Sequence, residues 1–184
     1  MRRVAALGCL ATVLAADWAL LRRRPRWIVS GLYDEPAHVA TAALVLLNLP
    51  RRSDRWTAGF LAGSVLPDLD HVPLALSRVH PDIDDPRPAT HCLLAIAPLA
   101  LAATRTRGAP REYTAGAAAG ALAHFARDLA VGTGVPLLQP LDGHSLKVPY
   151  PVYAAAVMLL AARAARREGV LPAADGDAVH GDIG

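Results

Sequence analysis

The sequence predicts an all-α protein, a polytopic membrane bundle of about six helices. Three observations lead there. Apolar residues make up 53% of the 184 positions while aromatic ones reach only 5%, a balance unlike that of an ordinary soluble core. Apolar segments recur six times, separated by arginine-rich or proline- and aspartate-rich stretches. The acidic residues and histidines gather at the ends of these segments rather than along them.

The first segment opens on Arg2-Arg3 and runs from Val4 to Ala16, passes Asp17 and continues through Trp18-Ala19-Leu20-Leu21 to Arg22-Arg23-Arg24. At about 18 largely apolar residues it approaches bilayer length, and it reads as an uncleaved helix although its start has the form of a signal peptide. The following segments lie at roughly 36–49, 56–66, 89–104, 113–131 and 151–165. Several fall short of the ~20 residues that a perpendicular span needs, so they are expected to tilt or to stop inside a polar cavity. Alanine dominates them. Gly116 and Gly120, four apart on one helix face, predict a close helix–helix contact of the small-xxx-small kind. The competing architecture is a soluble alanine-rich bundle.

Residues 1–168 read as one helical domain, and residues 169–184, where Asp175, Asp177 and Asp182 lie among glycines and alanines, as a flexible tail. The formal charge of +3 comes almost wholly from arginines set in short clusters, without the continuous basic stripe of a nucleic-acid binder. Cys9 and Cys92 form neither a CxxC pair nor a spaced framework, so no disulfide is expected.

If consecutive helices alternate in direction, one side of the membrane receives Arg2, Arg3, Arg51, Arg52, Arg55, Arg105, Arg107, Arg111, Arg163, Arg166 and Arg167. The other receives Asp34, Glu35, Asp68, Asp70, Asp82, Asp84, Asp85 and Asp142, together with Arg22, Arg23, Arg24, Arg26, Arg78, Arg87 and Lys147, of which the arginine group at positions 22–26 runs against the asymmetry. The positive-inside rule makes the first side cytoplasmic and predicts a multi-pass protein of the inner (plasma) membrane with its acidic side outside.

Five of the seven histidines fall on the acidic side: His38, His71, His91, His124 and His144. His38 would open the second helix, Asp68 to His71 close the third, His91 open the fourth, and His124 with Asp128 lie in the last turns of the fifth. Asp34-x-x-x-His38 and His124-x-x-x-Asp128 are both i,i+4 pairs, a spacing that projects two side chains from one helix face. Ionisable groups at membrane depth are costly and point to function. Imidazoles and carboxylates without thiolates suit a divalent metal ion, Zn²⁺ best, with Mn²⁺ and Fe²⁺ as alternatives. Taken singly, each group has a plainer role. Asp34 and Glu35 before Pro36 can cap a helix, Pro67-Asp68 can end one, Thr90-His91 can be a capped start, and His124 can be a packed core histidine. His80 and His180 receive no role, and Arg127 is open to a local salt bridge.

The blocks "GSVLPDLDH" (63–71), "RPATHCLL" (87–94) and "HFARDLAVGTGVPLLQPL" (124–141) resemble the signature of the membrane-embedded metal-dependent hydrolases, also labelled LexA-binding, inner-membrane-associated hydrolases. The resemblance covers about residues 30–150. A histidine that opens an early helix corresponds to His38, and a G-S-x-x-P-D-x-D-H block to Gly63, Ser64, Pro67, Asp68, Asp70 and His71. In the H-R-G-x-T-H-S block Arg87, Thr90 and His91 match, whereas Pro86, Pro88 and Cys92 replace the first histidine, the glycine and the serine. An H-x-x-x-D helix, His124 to Asp128, leads to a glycine-rich turn matched by Gly134, Val135, Pro136, Leu137, Leu138 and Pro140.

That resemblance implies a hydrolase using a divalent metal. The expected ligands are Asp34, His38, Asp68, His91, His124 and Asp128, with one or two ions compatible with their number. Asp70 or His71 would serve as general base, and Arg87 with Lys147 would neutralise an anionic substrate group. The expected substrate is a phosphoester or lipid-related molecule at the membrane boundary. The expected partners are membrane lipid and that substrate, with no nucleic acid and no protein partner specified. The alternative is a non-catalytic membrane protein whose metal braces the bundle while its surface recruits a partner.

Overall fold

A helix that begins on two arginines packs along its length against the next one, and this pair sets the frame. The computed structural model describes residues 1–23, 27–71 and 90–167. Among these residues the chain is all-α, with six α-helices and no strand: α1 Arg2–Arg23, α2 Trp27–Asn48, α3 Asp54–Gly63, α4 Leu93–Arg105, α5 Gly108–Asp128 and α6 Tyr150–Arg166, with a short 3₁₀ helix at Leu66–Asp70 after α3.

Helix α1 turns Ala6, Val13, Ala16, Ala19 and Leu20 inward and leaves Val4, Leu7 and Trp18 exposed. It is the one helix among the described residues that is long and apolar enough to cross a membrane. Helix α2 begins well before the expected residue 36 and carries Pro36 inside it. An interior proline forfeits the bond to the carbonyl four residues back, a cost of about 3 kcal/mol, which packing along α1 and α5 outweighs here. Asp34 and Glu35 are therefore helix-interior groups rather than caps, and His38 sits mid-helix instead of at an opening. Helix α3 starts on Ser53, whose hydroxyl accepts from Trp56 N (3.2 Å) and donates to Glu112 of α5 (2.6 Å).

Two apolar clusters divide the bundle. Ala6, Val13, Ala40, Leu44, Tyr153, Val157 and Ala161 join α1, α2 and α6. Ile96, Ala118, Ala121 and Phe125 join α4 to α5, with Val135 from the loop that follows. Helix α5 also packs against α2 and α3, so it is the shared wall of both halves.

The α3–α5 contact is made by glycines on both sides. A Cβ on Gly116 or Gly120 would run into the backbone of Trp56, Phe60 and Ser64, and one on Gly59 or Gly63 into the backbone of Tyr113 or Ala117. The expected role of Gly116 and Gly120 is thus realised, and Gly59-x-x-x-Gly63 is its counterpart on α3. The loop between α5 and α6 is held by an antiparallel bridge between Val135 and Leu146, and Leu137 O accepts the Leu93 N–H (3.0 Å) at the start of α4. Gly134 has φ +86°, and a Cβ there would meet Leu146 O, so the turn requires glycine.

Because backbone cannot yield as a side chain can, Gly120→Ala is expected to cost at least 1–3 kcal/mol. Gly31→Ala, where an added Cβ meets nothing within 4 Å, should leave stability near wild type. Thermal unfolding of the two variants in detergent compares them directly, and equal transitions would remove the knuckle from the account of the fold.

Candidate metal centre

Between the two halves of the bundle, α2, α5, the 3₁₀ turn and the residues just before α4 each bring polar side chains to one level. From α5 come His124, Arg127 and Asp128, all buried, and from α2 the buried His38. Pro67 sits at the first turn of the 3₁₀ helix, which ends α3 and turns Asp68 and Asp70 towards His91. His91 is fully buried two residues ahead of α4, whose N-cap is Cys92, so the fourth helix begins later than expected and His91 lies outside it.

Asp68, His91, His124 and Asp128 form the tightest group, each offering a donor atom within 4.8 Å of the others. His124 Nε2 lies 3.0 Å from Asp128 Oδ2 and 3.5 Å from Asp68 Oδ1. His91 Nε2 lies 3.2 Å from Asp68 Oδ1, 3.5 Å from Asp128 Oδ2 and 3.3 Å from His124 Nε2. Two imidazole nitrogens facing each other among carboxylate oxygens are a donor set that a divalent cation fits. Their outer nitrogens are also engaged. His124 Nδ1 is 2.9 Å from Ser64 O, a contact that puts the proton on Nδ1 and leaves the Nε2 lone pair facing the group. His91 Nδ1 faces Asp70 Oδ2 at 3.4 Å, and Thr90 Oγ1 donates to the same carboxylate.

A second group, Asp34, His38 and Asp68, shares Asp68 with the first. His38 Nε2 is 3.4 Å from Asp128 Oδ1 and 3.6 Å from Asp68 Oδ2, and its ring stacks on His124 with centroids 3.7 Å apart. Here a guanidinium already supplies positive charge. Arg127 Nη1 donates to Asp34 and lies 3.1 Å from His38 Nε2, while Nη2 donates to Asp17 Oδ1 at 2.7 Å. Tyr150 of α6 adds a hydroxyl to Asp17 Oδ2 at 3.2 Å. The six expected ligands therefore come together in two groups.

Asp70 and His71, the expected base residues, stand at the rim. His71 Nδ1 is 2.7 Å from Asp70 Oδ1 and 3.7 Å from Asp68 Oδ1. Pairing with Asp70 raises the His71 ring above its ordinary value against the opposing effect of burial. Burial alone would raise the carboxyls of Asp68 and Asp70. For Asp68 the neighbouring imidazoles of His124 and His91 outweigh it, for Asp70 those of His71 and His91, and both are held below the usual carboxylate range.

Arg87, the remaining expected catalytic residue, lies outside the described residues, as do Asp82, Asp84 and Asp85. His144 does not join the cluster. Its side chain is 96% exposed and pairs with Asp142 in the loop before α6, because that loop is tied down by the Val135–Leu146 bridge and leaves residues 140–145 at the surface. Lys147 is likewise exposed. Asp17 received no role from the sequence, yet its signal was present: it is the single charge between Val4 and Leu21 and calls for a buried partner.

The sequence profile described as YdjM inner membrane protein matches residues 34–177, which contain every member of both groups. The chain belongs to the YdjM inner membrane protein family. The family supports inner-membrane location. No curated protein and no solved structure matches the chain.

Arg127 pairs with the carboxylates of Asp17 and Asp34, so Arg127→Met should cost about 3–5 kcal/mol, chiefly by leaving the fully buried Asp17 without its guanidinium partner. Joint replacement with Asp17→Leu and Asp34→Leu should recover most of it. Chemical unfolding of the single and triple variants reads both numbers. A single variant as stable as wild type would mean that Arg127 does not brace α1, α2 and α5.

Proposed function

We propose that the protein is a membrane-bound, metal-dependent hydrolase acting on a phosphoester or lipid-related substrate at the membrane boundary. The observation that carries this reading is the convergence of Asp68, His91, His124 and Asp128 from three separate chain segments into one buried donor set. Zn²⁺ suits two imidazoles and two carboxylates best, with Mn²⁺ and Fe²⁺ as alternatives. Such an ion supplies Lewis-acid polarisation of an ester oxygen and acidifies water.

The chain's own residues provide the rest. Ser64 O and Asp70 fix the orientation of His124 and His91 from behind. His71, whose side chain is 27% exposed and paired with Asp70, stands at the mouth where it can take a proton from water and return one to the leaving group. Hydrolysis then adds the water hydroxyl to phosphorus, breaks the phosphorus–oxygen ester bond and leaves the alcohol protonated. Arg87 retains its expected role of neutralising an anionic substrate group.

Membrane embedding of the whole bundle, beyond α1, is supported by its inverted polarity. Val4, Leu32, Leu61, Leu94, Leu101, Leu122, Val152 and Leu159 face outward from all six helices, while Asp17, His38, Arg127 and Asp128 face inward. An extracytoplasmic site is supported by the placement of the arginines. Arg2 donates to Leu47 O and Arg167 to Asn48 O, so the chain start, the α2–α3 connection with Arg51 and Arg52, and the end of α6 share the pole away from the cluster.

One observation favours the alternative of a metal that only braces the bundle. Four protein donors can fill a tetrahedral shell, as in structural sites. Metal analysis and a substrate screen separate the two readings. Purified wild type should carry stoichiometric metal after metal-replete preparation, and folded His91→Ala and Asp128→Ala variants should lose most of it. Wild type without stoichiometric metal would remove the basis of the hydrolase reading. Turnover of phosphomono- or phosphodiesters supports catalysis, and bound metal with uniform inactivity supports the bracing role.

Asp70→Asn should weaken metal binding about 10–100-fold, measured by competition with a chelator. Affinity should also fall as pH drops, because a protonated ring nitrogen cannot ligate.

A further inference from the structure

An apolar groove of about 860 Å³ runs along the outside of the α1–α2 pair and ends at the metal centre. Its α1 wall is Ala5, Gly8, Cys9 and Thr12, a single helical stripe, and its α2 wall is Pro36, Val39, Ala40 and Ala43. Thr12 turns its hydroxyl back to Gly8 O (3.0 Å), so this residue offers the groove no free donor. The acidic groups along it are Glu35 and Asp68. Both lie at the end marked by Thr12 and Pro36, since α1 and α2 are antiparallel: Arg2 meets Leu47, and Asp17 meets Asp34 through Arg127. Glu35 Oε2 is buried there and has no hydrogen-bond partner among the described residues.

We infer that this groove holds one acyl chain of a membrane phospholipid, with the phosphoester of its head group brought to Asp68. The inference rests on the hydrolase reading for the fate of the head group and specifies the substrate. Three features select an acyl chain over other occupants. The groove and the metal centre share Asp68, so whatever lies in the groove is connected to the ligand cluster. The wall is apolar along its length and acidic only at its end, the polarity profile of a chain joined to a head group that offers hydrogen-bond donors to Glu35. From Ala5 to Thr12 the stripe rises about 10 Å, enough to line part of an extended acyl chain. The volume falls within the ~300–1,000 Å³ of ligand sites, and a family of the inner membrane is surrounded by this ligand.

Gly8 supplies the test, because an added Cβ at that position meets nothing within 4 Å and a large side chain there fills the groove without disturbing the bundle. Gly31→Trp, on the same helix pair but outside the groove, is the control. The full chain is reconstituted in nanodiscs containing phosphatidylethanolamine with a diazirine in one acyl chain, illuminated, and digested for mass spectrometry. Wild type and Gly31→Trp should carry adducts concentrated on peptides containing Ala5–Thr12 and Pro36–Ala43. Gly8→Trp should lose those adducts at least tenfold while keeping its metal content and unfolding transition. Ala43→Leu, which narrows the groove from the α2 side, gives a second variant with the same expected loss.

Adducts spread evenly over the outward faces of all six helices, or unchanged in both variants, overturn the proposal. So do chain-to-chain crosslinks at the groove without lipid adducts, which would mark a second copy as the occupant. Labelling requires no turnover and no metal. Groove adducts in a protein inactive on every phosphoester therefore uphold the chain-binding site while the hydrolase reading fails. Phosphoesterase activity without groove adducts leaves the hydrolase reading standing and removes this one.

Discussion

Carboxylates sealed inside an apolar bundle must be matched by positive charge, and most of this structure is organised around that requirement. Asp17, Asp128 and, with slight exposure, Asp68 are withdrawn from water, where an isolated ionised carboxylate costs several kcal/mol even after relaxation. Arg127 meets part of the demand by joining Asp17 and Asp34. A divalent ion among Asp68, His91, His124 and Asp128, as proposed above, would complete it and tie the fold and the proposed chemistry to one electrostatic balance.

The close packing of α3 on α5 serves this arrangement directly. Glycines on both helices let the backbones approach until Ser64 O comes within hydrogen-bond distance of His124 Nδ1. A wider separation would free the ring, and its Nε2 would no longer be aimed at Asp68 and Asp128. The loop after α5 works in the same way on the other histidine, since Leu137 O holds the first turn of α4 beside His91. Backbone geometry thus orients both imidazoles, and side-chain chemistry then uses them.

Much of the site was legible in the residues themselves. The i,i+4 pair His124–Asp128 and the 63–71 block name groups that do meet, because helical periodicity places such pairs on one face whatever else the chain does. The spacing of Asp34 and His38 was also informative, although the inferred helix start at residue 36 was not. Proline normally marks a boundary, and here tertiary packing carries α2 through it. The Asp17–Arg127 pair could not be read off the chain, since its members lie 110 residues apart and neither has a local motif. His144 shows the converse error: it sits on the expected side in sequence, yet a surface loop carries it away from the cluster.

The sequence by itself determined the helical class, the inward histidines and carboxylates of α5 and the 3₁₀ turn, and the small-residue stripe of α5, since each depends on local periodicity and composition. Only the tertiary structure decided which carboxylates Arg127 neutralises, that Asp68 is common to both candidate ligand groups, and that a groove between α1 and α2 ends at it. Those facts depend on the depth and register at which distant helices pack, and backbone approach sets these through contacts that no local pattern encodes.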